Sequence, residues 1–161
     1  VVSRLRLAGV SAVALTVVIG LSGPASASDE YRCTAYQHIE LPTSGFNTDI
    51  TSRVCVWRNF SGKVRASASF SWQEGGGGKF NKLLLSTRLE KNDVMKAGAV
   101  CNYKNAVNAD DGGGGYVCWT PWTSVPAGGI TGDAGLLYDL ADDGKGDLLR
   151  NLGGMRGRVT P

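Results

Sequence analysis

Between Lys63 and Trp72 every second residue is apolar: Val64, Ala66, Ala68, Phe70 and Trp72 alternate with Lys63, Arg65, Ser67, Ser69 and Ser71. A helix would scatter these apolar groups around its axis, whereas a strand puts them all on one face and leaves the polar set in water. The same period returns between Lys82 and Glu90, where Leu83, Leu85, Thr87 and Leu89 share one side and Lys82, Ser86, Arg88 and Glu90 the other. Leu84 interrupts the polar side, so this strand is expected to be partly covered on both faces.

Weaker strand signals lie at Tyr31 to Ile39, Arg53 to Arg58, Ala99 to Tyr103, Tyr116 to Thr120, Gly135 to Leu140 and Leu148 to Leu152. Turn-forming residues separate them. Asn59 to Gly62 is short enough for a hairpin turn, and the glycine runs Gly75 to Gly78 and Asp111 to Gly115 read as hairpin tips or exposed loops. No segment after the leader keeps a helical period over three turns. Seven or eight short strands with frequent turns predict an all-β fold, an antiparallel β-sandwich in one domain spanning 28–161.

The first 27 residues read as an export signal instead of part of this fold. Arg4 and Arg6 precede an uncharged run from Leu7 to Leu21, and Ala25-Ser26-Ala27 fits a signal-peptidase site. The run is short for a membrane span and is followed closely by the cleavage pattern. The expected product begins at Ser28, carries no membrane span and is secreted into the extracellular space. Fifteen of the 17 Lys and Arg and all 14 Asp and Glu lie after residue 27, so the secreted part is nearly neutral. That balance argues against a nucleic-acid or anionic-membrane partner, each of which requires clustered positive charge.

Cys33, Cys55, Cys101 and Cys118 all lie beyond the leader. An even number in an exported chain predicts two disulfides. Three pairings are open. Cys33–Cys55 and Cys101–Cys118 are favoured, because each joins sequence neighbours in strand-like segments. A zinc site is disfavoured, since the chain has no Cys-x-x-Cys pair.

His38 is the only histidine. A Ser-His-Asp hydrolase would have to use it, and no nucleophile-elbow pattern accompanies it. A zinc hydrolase ordinarily needs two or three histidines. Paired carboxylates could cleave glycosides, but nothing singles out a pair. An enzyme is therefore disfavoured, and no catalytic residue is assigned.

Two stretches could bind something. In the acidic stretch from Asp139 to Asp147, oxygens of Asp139, Asp142, Asp143 and Asp147 could converge on calcium, with Gly144 allowing the bend. The alternative is an acidic β-turn, in which Asp and Gly serve the backbone alone. The stretch resembles the calcium loops of FG-GAP-type propeller repeats at Asp139, Asp143, Gly144, Asp147 and Leu148, and departs from them at Ala141, which lacks a side-chain oxygen. The second stretch is aromatic: Tyr116, Trp119 and Trp122 surround Cys118, and Trp57 follows Cys55. A flat apolar ring matches the C–H face of a pyranose, so exposed tryptophans on a sheet could hold polysaccharide. The alternative is packing beside the disulfides. Trp57 and Trp72 are expected in the core, and Trp122, after a proline, is expected to be the most exposed.

The Ala-rich leader, the four spaced cysteines, the glycine-rich hairpins and the Tyr138 to Gly144 ending together resemble those of small secreted β-rich proteins of actinomycetes. That resemblance implies a location and a fold more than an activity. The leading expectation is a non-catalytic extracellular binding or structural protein. Polysaccharide binding through Trp119, Trp122 and Tyr116 is one alternative, and a secreted protein-binding factor or inhibitor is the other.

Overall fold

The computed structural model describes residues 30–155. The expected leader, its cleavage site and residues 156–161 of the tail lie outside them. Two antiparallel sheets stack face to face. In the first, β1 (Glu30–Cys33) and β2 (Gln37–Leu41) both pair with β3 (Thr48–Arg58), followed by β4 (Val64–Gln73) and β7 (Gly114–Trp119). The second runs in the order β6 (Val94–Asn102), β5 (Phe80–Lys91), β8 (Ile130–Leu140), β9 (Leu148–Met155). A six-residue helix, α1 (Lys104–Ala109), joins β6 to β7.

The alternating residues fall as the period requires. Val64, Ala66, Ala68, Phe70 and Trp72 face Leu83, Leu85, Leu89, Leu136 and Ile130 across the core, all of them buried. Ala-rich β4 and Gly132 let the layers approach closely: a Cβ on Gly132 would stand 3.0 Å from Val56 Cγ2. Both favoured disulfides form, with different tasks. Cys33–Cys55 ties neighbouring strands within the first sheet, since the two residues are direct partners in the β1–β3 register. Cys101–Cys118 links β6 to β7, one edge strand of each sheet, and so closes one open side of the sandwich.

The segment Tyr31 to Ile39 is two strands and not one. Cys33 pairs with Cys55 and Gln37 with Ser52, so three residues on the edge oppose two on β3. This extra residue is a bulge, and it reverses which side chains face inward. Before it, Tyr31 and Cys33 lie on the outer face with Trp57 and Cys55; after it, Ile39 and Leu41 turn into the core.

The glycine run Gly75 to Gly78 is not a hairpin tip, and only Gly77 and Gly78 of it are exposed. It carries the chain from the first sheet to the second, and Gly75 and Gly76 are buried against α1. A Cβ on Gly75 would stand 2.6 Å from Val107 O, too close for any side chain. Asn108 fastens α1 to β5 by accepting from Phe80 N (3.0 Å) and donating to Phe80 O (2.8 Å). One and a half turns are too few to leave a periodic signal in the sequence.

Candidate functional site

The outer face of the first sheet is built in rows set by strand register. One row runs Tyr31, Trp57, Arg65; the next runs Cys33, Cys55, Ser67, Trp119; a third runs Arg53, Ser69, Val117. Trp122 reaches the first row because the chain after β7 continues along β4. Thr120 N donates to Ala66 O at 3.0 Å, and Val64 and Thr123 exchange backbone hydrogen bonds at 2.9 and 2.8 Å. The bulge lifts Tyr36 over the third row, where Arg53 lies 4.6 Å from its ring centre.

These residues form a continuous aromatic ribbon. Tyr31 and Trp57 stack at 4.4 Å, and Trp57 meets Trp119 at 5.3 Å in a tilted contact. The Arg65 guanidinium lies 3.7 Å from the centre of Trp119 and 4.2 Å from that of Trp122. Cation–π contact and ring stacking both rigidify such a cluster. Trp57 Nε1 donates to Ser67 Oγ at 2.8 Å, fixing the indole. Ser67 and Cys55 are buried although they lie on the outer face, because the ribbon roofs them over. Tyr31 stays 54% exposed and the three tryptophans half-buried, so ring surface remains open to solvent.

Trp57 therefore belongs to the ribbon, correcting its expected place in the core. The signal lay in its own strand: Trp57 shares parity with charged Arg53, whereas Val54 and Val56 occupy the other face. Trp72 shares parity with Phe70 and is buried, as expected. Tyr116 is separated from Trp119 and Trp122. It has the opposite parity and, still 50% exposed, forms the outer edge of a second ring cluster, stacking on Tyr103 at 5.2 Å and on Trp72 at 5.8 Å. Phe70 completes that cluster by stacking on Tyr103. Burial, aided by neighbouring Tyr116, raises the Tyr103 pKa above its ordinary value.

The same outer face ends in a groove of about 740 Å³ lined by His38, Glu40, Asp49, Thr51, Ser71 and Gln73, with Gly112 to Gly114 as a wall. Glu40 and Asp49 are direct cross-strand partners. His38 Nδ1 shares a 3.0 Å hydrogen bond with Thr51 Oγ1.

The acidic stretch is spread out. Asp139 lies on β8, Asp143 Oδ1 accepts from Lys145 N at 2.9 Å in a local turn, and Asp147 forms an ion pair with Lys82 at 2.5 Å. Asp142 has a positive φ of 70°. Among the described residues no group of three or more His, Cys, Asp or Glu is arranged to hold a metal ion. The backbone turn and the Lys82 ammonium account for the carboxylates that have partners here. Among the described residues, no helix is long and apolar enough to cross a membrane.

No family model matches the chain, and no similar curated protein or solved structure was found.

Proposed function

We propose that this protein is a non-catalytic extracellular module that binds polysaccharide on the outer face of its first sheet. The observation that carries this reading is the ribbon of Tyr31, Trp57, Trp119 and Trp122, joined by ring contacts and by Arg65. Rings held in place before binding lose little freedom when a ligand arrives, which favours affinity. A sheet face supplies an extended surface in place of an enclosed cavity, as a long polymer requires. Successive rows lie about 7 Å apart, so the ribbon and the rows beyond it can follow a chain of sugar rings. The extracellular assignment draws support from the two disulfides, which persist in oxidising compartments, and from the leader-like sequence of residues 1–27.

The test is retention on insoluble cellulose, chitin and cell-wall polymer. Tyr31→Ala and Trp122→Ala should each weaken retention by about tenfold, the change that about 1.4 kcal/mol of lost contact gives. Retention on no polymer, or variants that bind as well as the parent, would remove the reading.

A second reading, protein binding, is favoured by the opposite face. Leu84, Leu137 and Leu149 are register neighbours across β5, β8 and β9, and Leu149 is 67% exposed with Val100 also open. Exposed apolar patches occur at protein contacts. Failure on every polymer combined with self-association lost in Leu149→Ser would favour it.

A further inference from the structure

We infer that the aromatic ribbon selects acidic polysaccharide, with Arg53 as a specificity-determining residue that receives sugar carboxylates; this rests on the polysaccharide reading above. The two rows that carry the ribbon and the row next to them hold Tyr31, Trp57, Arg65, Cys33, Cys55, Ser67, Trp119, Arg53, Ser69 and Val117. Among the described residues of these rows there are two guanidinium groups and no carboxylate. Both guanidiniums lie on aromatic rings, Arg65 between Trp119 and Trp122 and Arg53 on Tyr36.

A guanidinium laid on a ring is held in position before binding, and its planar fork of donors matches a carboxylate in two parallel hydrogen bonds. The spacing suits the same ligand. Arg53 stands four residues along β3 from Trp57, about 13 Å at strand rise. In a polymer laid along β3, across the ribbon, a sugar stacked on Trp57 would place its neighbours toward Arg53. Neutral polymer gains from the rings alone, whereas a uronic-acid polymer gains from the rings and from the charge.

The groove sets the other limit of this footprint. Glu40 and Asp49 lie a further four residues along β3 from Arg53, again about 13 Å. A polyanion extended that far would meet two carboxylates, so the acidic ligand is confined to the tryptophan half of the face. The nearly neutral charge of the chain after residue 27 means that selectivity here is local to these rows and does not come from long-range attraction.

The test compares retention on immobilised polygalacturonate with retention on cellulose at low salt. The protein should prefer polygalacturonate by about tenfold, and about 1 M NaCl should erase the preference, because the screening length there is only about 3 Å. Arg53→Gln should bring the ratio of acidic to neutral retention close to one. Lys96→Gln removes the same charge from the opposite sheet, where Lys96 is exposed, and should leave the ratio intact. Equal retention on both polymers would overturn the inference and leave the polysaccharide reading standing. So would a ratio that falls as far in Lys96→Gln as in Arg53→Gln, which would mark a net-charge effect. Stronger retention on single-stranded DNA than on polygalacturonate would assign Arg53 to phosphate instead. Retention on no polymer would end both.

Discussion

Two buried polar residues show how single side chains set the stability of this sandwich. Lys79 is buried, and its ammonium donates to Phe46 O at 2.6 Å and Glu74 O at 2.7 Å. It thereby ties the β2–β3 turn to the β4–β5 crossover. Lys79→Met keeps the stem and removes the donors, so it should cost about 1–3 kcal/mol, read as a lower urea midpoint with unchanged slope. Tyr103 provides a pH signature. Its pKa is raised on folding by burial and by Tyr116, so above about pH 10 the unfolded chain gives up this proton first. Stability from this group is present below that pH and declines as pH rises through the folded value. Thermal melts between pH 9 and pH 11 should show the decline, with a shallower slope in Tyr103→Phe.

At the scale of elements, the disulfides and the bulge decide what the strands can do. Cys101–Cys118 joins the two sheets across 17 positions of sequence. Replacing both cysteines by serine should cost about 3 kcal/mol in the chain-entropy picture, seen as a lower melting temperature. The acidic turn between β8 and β9 is organised by Lys82 and by its own backbone. Millimolar calcium should therefore leave the melting temperature unchanged, and Lys82→Met should free Asp147 at little cost, as for other exposed ion pairs.

Much of this level was legible in the sequence. The strict alternation of Val64 to Trp72 located β4 within a residue, and both cysteine pairings followed from sequence neighbours. What stayed hidden has identifiable causes. The bulge at 34–36 adds one residue to an edge, and a period-two pattern carries no mark of where its phase changes. For Trp57 the residue type, a large ring beside a cysteine, points to the core, and only its parity with Arg53 points outward. Tyr116 and Trp119 are close along the chain, yet an odd separation in a strand sends the two to opposite faces. The Tyr31 end of the ribbon depends on pairing between β1 and β3, and single-strand patterns do not contain it.

At the scale of the whole molecule, eight of the thirteen aromatic residues gather in two clusters with different tasks. The inner cluster of Phe70, Trp72, Tyr103 and Tyr116 packs the β6–β7 side of the core, next to the inter-sheet disulfide. The outer ribbon spends three of the four tryptophans on a solvent-facing surface whose covering of Ser67 and Cys55 gives it a small core of its own. The division supplies an internal control for the central claim, because Trp72 is 4% exposed and its Nε1 is engaged by Asp110 O at 3.2 Å. The most direct measurement is a titration of the 15N-labelled protein with soluble oligosaccharide, following the four indole N–H resonances. The account predicts that those of Trp57, Trp119 and Trp122 shift together along one binding curve while that of Trp72 stays in place. Four unmoved signals at millimolar neutral and acidic oligosaccharide, or a shift confined to Trp72, would contradict it.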